Sequence, residues 1–157
     1  MRVGWRPRAA RDLKAAALGA SALSRDWSKP ALRALARNAD LVDVPAGYTL
    51  FQLGDRVVAC YLLVEGMLAE TRGDDAWLVD APGAMVGAAE SFVGAVASST
   101  VTAVTPTLVL ALPTRALLGG VERSRPLRTA TFVELARRAL PPARRHAAGR
   151  HLDPADT

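Results

Sequence analysis

A sandwich or barrel of short antiparallel strands, with helices at both ends of the chain, is the fold class this sequence predicts. Between Leu41 and Pro113 the apolar residues recur with period two, the spacing of half-buried strands. Gly, Pro or Asp interrupts this stretch about every 8–12 residues, as turns do in sandwiches and barrels. Helical spacing appears only before and after it.

Each element follows from local chemistry. Pro7 precedes a helix expected over Arg8 to Leu23, with Leu13, Ala16, Ala17, Ala20 and Leu23 at helical spacing. A second helix, "SKPALRALARNA", has Ser28 as N-cap and Pro30 in the first turn, where a missing N–H is harmless. Leu32 and Leu35, with Ala31 and Ala36, form its buried stripe. Seven strands follow: "DLVDVPAG", "YTLFQLGD", "VVACYLLVEG", "MLAETRGDD", "AWLVDAPG", "STVTAVTP" and "TLVLALP". "RGDD" is the clearest hairpin turn. After Pro113 a short helix, "TRALLGGVERS", is expected to break at Gly119-Gly120. A longer one, "RPLRTATFVELARRAL", is stopped by Pro141-Pro142. The organisation read from this is a basic, helical N-terminal arm (1–26), a domain (27–140), and a basic, disordered tail (141–157).

Composition narrows the function classes. Half of the 157 residues are hydrophobic, which predicts one folded domain, and no apolar run is long enough to span a membrane. Asp12 and Lys14 interrupt the start in a way a signal peptide does not tolerate. The single cysteine, Cys60, lies in a hydrophobic run and reads as a reduced structural thiol, so a cytoplasmic location is expected. The net charge of +5 is unevenly placed: Arg2, Arg6, Arg8, Arg11, Lys14 and Arg25 crowd one end, and Arg137, Arg138, Arg144, Arg145 and Arg150 the other. Residues 27–136 hold nine basic and eleven acidic side chains, which argues against a basic groove in the folded core. The two histidines, His146 and His151, are both in the tail, so no His-based metal site or His-dependent catalysis is expected within the strands. The carboxylate pairs, Asp74 with Asp75 and Glu65 with Glu70, read as solvated groups at turns and strand ends. No catalytic residue, metal or cofactor is assigned.

The phrases "VDVPAGYTLFQLGD", "CYLLVEGMLAE", "APGAMVGAAES" and "SSTVTAVTPTLVLALP", in this order, resemble the cyclic nucleotide-binding domain family, a β-roll related to jelly rolls. Gly47, Gly54, Asp55, Tyr61, Gly66, Gly83, Gly87 and Ser98 to Ala103 carry the match. The resemblance implies a mainly β roll with N-terminal and C-terminal helices. It also implies a short loop helix that offers backbone N–H groups to a cyclic phosphate. A Glu after the loop Gly and an Arg before the Ser/Thr would complete the family's site. Here Gly87 is followed by Ala88, and Ala97 stands before Ser98, Ser99 and Thr100. Both functional side chains are missing, so cyclic nucleotide is not expected as a ligand. Two rescues are conceivable: Glu90 reaching a hydroxyl, or Ser98, Ser99 and the loop amides holding an anion without Arg. The simpler expectation is a degenerate pocket filled by a side chain such as Phe92 or Val96.

The resemblance also implies a terminal helix that lids the pocket or pairs with its twin. Leu127 lies on one stripe of that helix, and Phe132 and Leu135 on another, so homodimerisation or docking on a different protein is expected there. Trp5 beside Arg6 and Arg8 marks a second interaction segment, and contact with an anionic membrane surface stays open. Only 17 residues follow Leu140, too few for the helix-turn-helix domain of DNA-binding relatives, so sequence-specific DNA reading is not expected. The reading is a non-enzymatic regulatory or protein-interaction module; the alternative is a small-ligand, nucleotide-like sensor with an altered loop.

Overall fold

The computed structural model describes residues 9–21, 24, 28–93, 96–123 and 150–151. Two helices come first, α1 (Ala9–Ala20) and α2 (Lys29–Asn38). Eight strands follow: β1 (Asp40–Val44), β2 (Thr49–Phe51), β3 (Ala59–Glu65), β4 (Leu68–Arg72), β5 (Asp75–Val79), β6 (Met85–Val86), β7 (Thr100–Ala103) and β8 (Thr107–Pro113). The short helix α3 (Ala88–Val93) interrupts them, and α4 (Thr114–Arg123) and the strand β9 (Arg150–His151) complete the described elements. The strands form two sheets, ordered β1-β8-β3-β6 and β2-β7-β4-β5-β9, with every pair antiparallel. The first eight strands thus have jelly-roll order, as the family resemblance implies, where the alternating pattern predicts a seven-stranded sandwich or barrel.

Strands β3 and β8 explain the arrangement. Their side chains alternate between two apolar clusters, so neither strand has a polar face. Cys60, Leu62, Leu110 and Leu112 face Leu18, Leu35 and Leu117 of the helices. Leu63 and Val109 face the roll interior with Val44, Phe51, Leu68, Val86 and Val101. This two-sided burial is why "VVACYLLV" and "TLVLAL" read as nearly continuous apolar runs.

The helices show which local signals held. Ser28 caps α2, its Oγ accepting from the Ala31 N–H at 3.3 Å, and Leu35 is buried with Ala31, Leu32 and Ala36 packed around it. In α1 the buried face differs from the expected stripe. Leu13 and Ala16 are exposed, whereas Ala17, Leu18 and Ser21 are buried. The segment read as an arm therefore supplies part of the core. Gly119-Gly120 does not break α4, which continues to Arg123. Each glycine costs about 1 kcal/mol against alanine. Burying Leu117 returns about 1.5–3 kcal/mol and holds the helix on the roll.

Two strands were not anticipated. Met85–Val86 pairs with Tyr61 and Leu62 of β3, and Arg150–His151 pairs with Trp77 and Leu78 of β5, within a tail expected to be disordered. The expected hairpin is present: Arg72 pairs with Asp75 around Gly73, whose φ is +58°. Among the described residues, no helix is long and apolar enough to cross a membrane.

Gly83 fixes α1 to the roll. Its φ is +89°, and a Cβ there would strike the Ala20 carbonyl. Gly47 has φ +84° with open space around it. Gly83→Ala should therefore cost about 2 kcal/mol or more, adding overpacking to backbone strain, while Gly47→Ala should cost about 1–2 kcal/mol. Urea unfolding of both variants checks this, and equal losses would contradict the α1 contact.

Candidate functional site

The loop between β6 and β7 is built around Gly87. Its φ is +76°, and a Cβ on it would lie 3.2 Å from the Phe51 ring. Phe51 stacks on Tyr61 with ring centroids 6.2 Å apart, and burial, with smaller effects from Tyr48 and Cys60, pushes the Tyr61 phenol above its ordinary pKa. Gly87 thus lets the chain turn tightly over an aromatic floor and start α3, where the Ser91 N–H donates to the Gly87 carbonyl at 3.0 Å.

The two alanines have separate surroundings. Ala88 is fully buried in the cluster that joins the helices to β3 and β8. Ala97 is buried in the roll interior, its N–H donating to Asp55 O at 2.7 Å and its carbonyl accepting from the Gly54 N–H at 2.8 Å. Both positions are parts of the apolar packing.

The polar side chains of the loop meet partners from β4. Ser98 Oγ donates to Glu90 Oε1 at 2.6 Å and accepts from Arg72 Nη2 at 2.9 Å, while Arg72 Nε donates to the Ser98 carbonyl at 3.0 Å. Arg72 thus grips Ser98 at two atoms, and Ser98 presents its proton to a carboxylate that is 5% exposed. One residue on, buried Ser99 donates to Glu70 Oε1 at 2.7 Å, and Glu70 is 7% exposed. Thr100 Oγ1 accepts from the Leu53 N–H at 3.0 Å, which ties the start of β7 to the β2–β3 loop.

Of the residues singled out from the sequence, the structure joins Glu90 to Ser98 and places Gly87, Ser99 and Thr100 in the same loop region; Glu70 and Arg72, which bond to its serines, were not singled out for it. Glu70 is a buried acceptor, not the solvated strand-end group expected, and Arg72 belongs to the site as well as to the hairpin. The signal was present: Leu68, Glu70 and Arg72 alternate along β4, and Leu68 is fully buried, so its i+2 neighbours share the inward face. Val96 does not fill a pocket; it is 56% exposed. The Phe92 side chain lies outside the described residues, as do Trp5, Arg6, Arg8, Leu127, Phe132 and Leu135.

Hydrogen bonds to charged groups contribute about 1.5–3 kcal/mol, and removing one partner leaves the other desolvated. Ser98→Ala should therefore destabilise the fold by about that amount, read by urea unfolding. Ala88→Glu should cost about 3–5 kcal/mol, because it buries an unpaired carboxylate among apolar side chains. A stable Ala88→Glu protein would contradict the placement of this position.

The fold and loop can now be set beside known proteins. The chain resembles the sensor domain of the transcriptional regulator DNR from Pseudomonas aeruginosa (TM-score 0.66, 23% identity, 80% of this chain and 92% of that one). It also resembles a putative cyclic nucleotide binding protein from Ruegeria pomeroyi (TM-score 0.67, 21% identity, 80% of this chain and 60% of that one). A third match is the catabolite activator protein of Thermus thermophilus (TM-score 0.63, 24% identity, 74% of this chain and 57% of that one). The chain thus spans less than two thirds of the latter two. Among curated proteins none matches it. The model of the family described as "cyclic nucleotide-binding domain" matches residues 41–124, more than half of the chain. On that match and on the two-sheet roll around Gly87, this chain belongs to the cyclic nucleotide-binding domain family.

Proposed function

We propose that this chain is a non-enzymatic regulatory module that carries its own anion at the phosphate loop and acts through protein contacts. The observation that carries this reading is the Arg72–Ser98–Glu90 network. The Glu90 carboxylate accepts from the loop serine on which a cyclic phosphate would depend, and Arg72 holds that serine. Ser99 is likewise committed to Glu70. Neither loop hydroxyl needs an outside anion.

Charge supports the same reading. Among the described residues, Arg72 is the cation hydrogen-bonded in this set, which also holds the carboxylates of Glu70 and Glu90. From the described side chains of this set, a phosphate would meet more negative charge than positive. Alanine at position 97 removes the bidentate donor that relatives use. Beside the loop, Leu53, Val58 and Val96 are 60%, 68% and 56% exposed, and segments 53–56 and 96–97 are joined by backbone bonds. Apolar side chains of this kind beside the loop suit a protein partner. The neighbour that serves as the sensor domain of a transcriptional regulator supports a regulatory role.

Arg72 itself favours a second reading, a sensor for a small ligand with an altered loop, since it supplies a cation that the loop sequence lacks. Calorimetry with cyclic AMP and cyclic GMP decides between the two. The self-contained loop predicts no heat up to about millimolar ligand, whereas relatives' charge-assisted contacts would give binding orders of magnitude tighter. Saturable micromolar binding would overturn the proposal and favour the sensor.

A further inference from the structure

On a different part of the roll, a groove of about 610 Å³ is lined by Asp43, Val44, Pro45, Tyr48, Glu65, Pro106, Thr107 and Leu108. It shares no residue with the Arg72–Ser98–Glu90 network. Its geometry comes from strand register. Leu108 of β8 pairs with Asp43 of β1 on one side and with Glu65 of β3 on the other. The two acidic residues therefore flank one apolar residue across three adjacent strands, about 10 Å apart by the usual strand spacing. Among the described residues no cation lines the groove, and neither Asp43 nor Glu65 makes an ion pair or side-chain hydrogen bond.

The walls are fixed in advance. Buried Thr107 Oγ1 donates to the Thr105 carbonyl at 2.8 Å and accepts from the Met67 N–H at 3.2 Å. The Tyr48 N–H donates to the Pro45 carbonyl at 3.1 Å, setting a Tyr ring that is 45% exposed beside the two prolines. A preformed surface loses little conformational freedom on binding.

We infer that this groove docks an extended, arginine-bearing peptide segment of a partner protein. Two carboxylates with no cation beside them among the described residues call for two positive charges. Arginine suits them best, because its planar fork pairs bidentately with carboxylates and stacks on Tyr48. The open shape selects a peptide over a small amine. Asp43, Pro45, Tyr48, Glu65 and Pro106 are all exposed, whereas small-molecule sites enclose most of their ligand. β1 is also the last strand in its sheet order, so an extended segment can run alongside it over Asp43.

The test is fluorescence anisotropy of a fluorescein-labelled GRVRWG peptide titrated with the full chain. Expected is saturable binding that weakens about tenfold or more in the Asp43→Asn/Glu65→Gln double variant and in about 0.5 M salt. It should be lost when citrulline replaces both arginines. Both substituted residues are exposed, so the variant should unfold like the wild type, and matched thermal unfolding verifies this. No binding up to about millimolar protein would overturn the inference. So would equal binding by the double variant, or binding of spermidine but not of the peptide.

Discussion

Strands β3 and β8 pair along nearly their whole length and are buried on both faces, and this constraint organises the molecule. Helices α1, α2 and α4 have a place to pack only because Cys60, Leu62, Leu110 and Leu112 turn outward. The roll closes only because Leu63 and Val109 turn inward onto β2, β4 and β7. Each buried Leu or Val contributes about 1.5–3 kcal/mol relative to exposure, so both layers rest on the same two strands.

The same division decides what the phosphate loop can do. Ala88 falls on the helix side and Ala97 on the roll side, and each is absorbed into apolar packing. With methyl groups at these positions, the charged side chains that bond to the loop serines among the described residues come from α3 and β4. They bond to one another: Arg72 holds Ser98, Ser98 gives its proton to Glu90, and Ser99 gives its proton to Glu70. Buried polar groups are costly unless paired, and these pair within the chain. The family fold is retained, and the proposed self-contained loop follows from this pairing.

Much of the fold was legible because its signals are local. Period-two alternation marked the strands, Ser28 and Pro30 marked the start of α2, and Gly73 marked the hairpin. The misses were of a different kind. The buried face of α1 depends on Gly83 approaching Ala20, a contact between distant segments that helical spacing does not encode. Gly119-Gly120 stays helical because Leu117 is anchored elsewhere. At the loop, Glu90, Ser98 and Ser99 were singled out because they lie within the loop motif. Glu70 and Arg72 were missed because a hairpin rich in charge reads as solvated until the inward face of Leu68 is followed along β4.

The central claim is that the loop carries its own anion, and the Arg72 Nε–H reports on it directly. By nuclear magnetic resonance, the Arg72 Nε–H that donates to the Ser98 carbonyl should give a distinct signal in slow exchange with water. That signal should move when Glu90 is replaced by Gln and stay in place when cyclic AMP is added. An Arg72 Nε–H that exchanges like a solvated side chain, or that shifts saturably with cyclic AMP, would contradict the account.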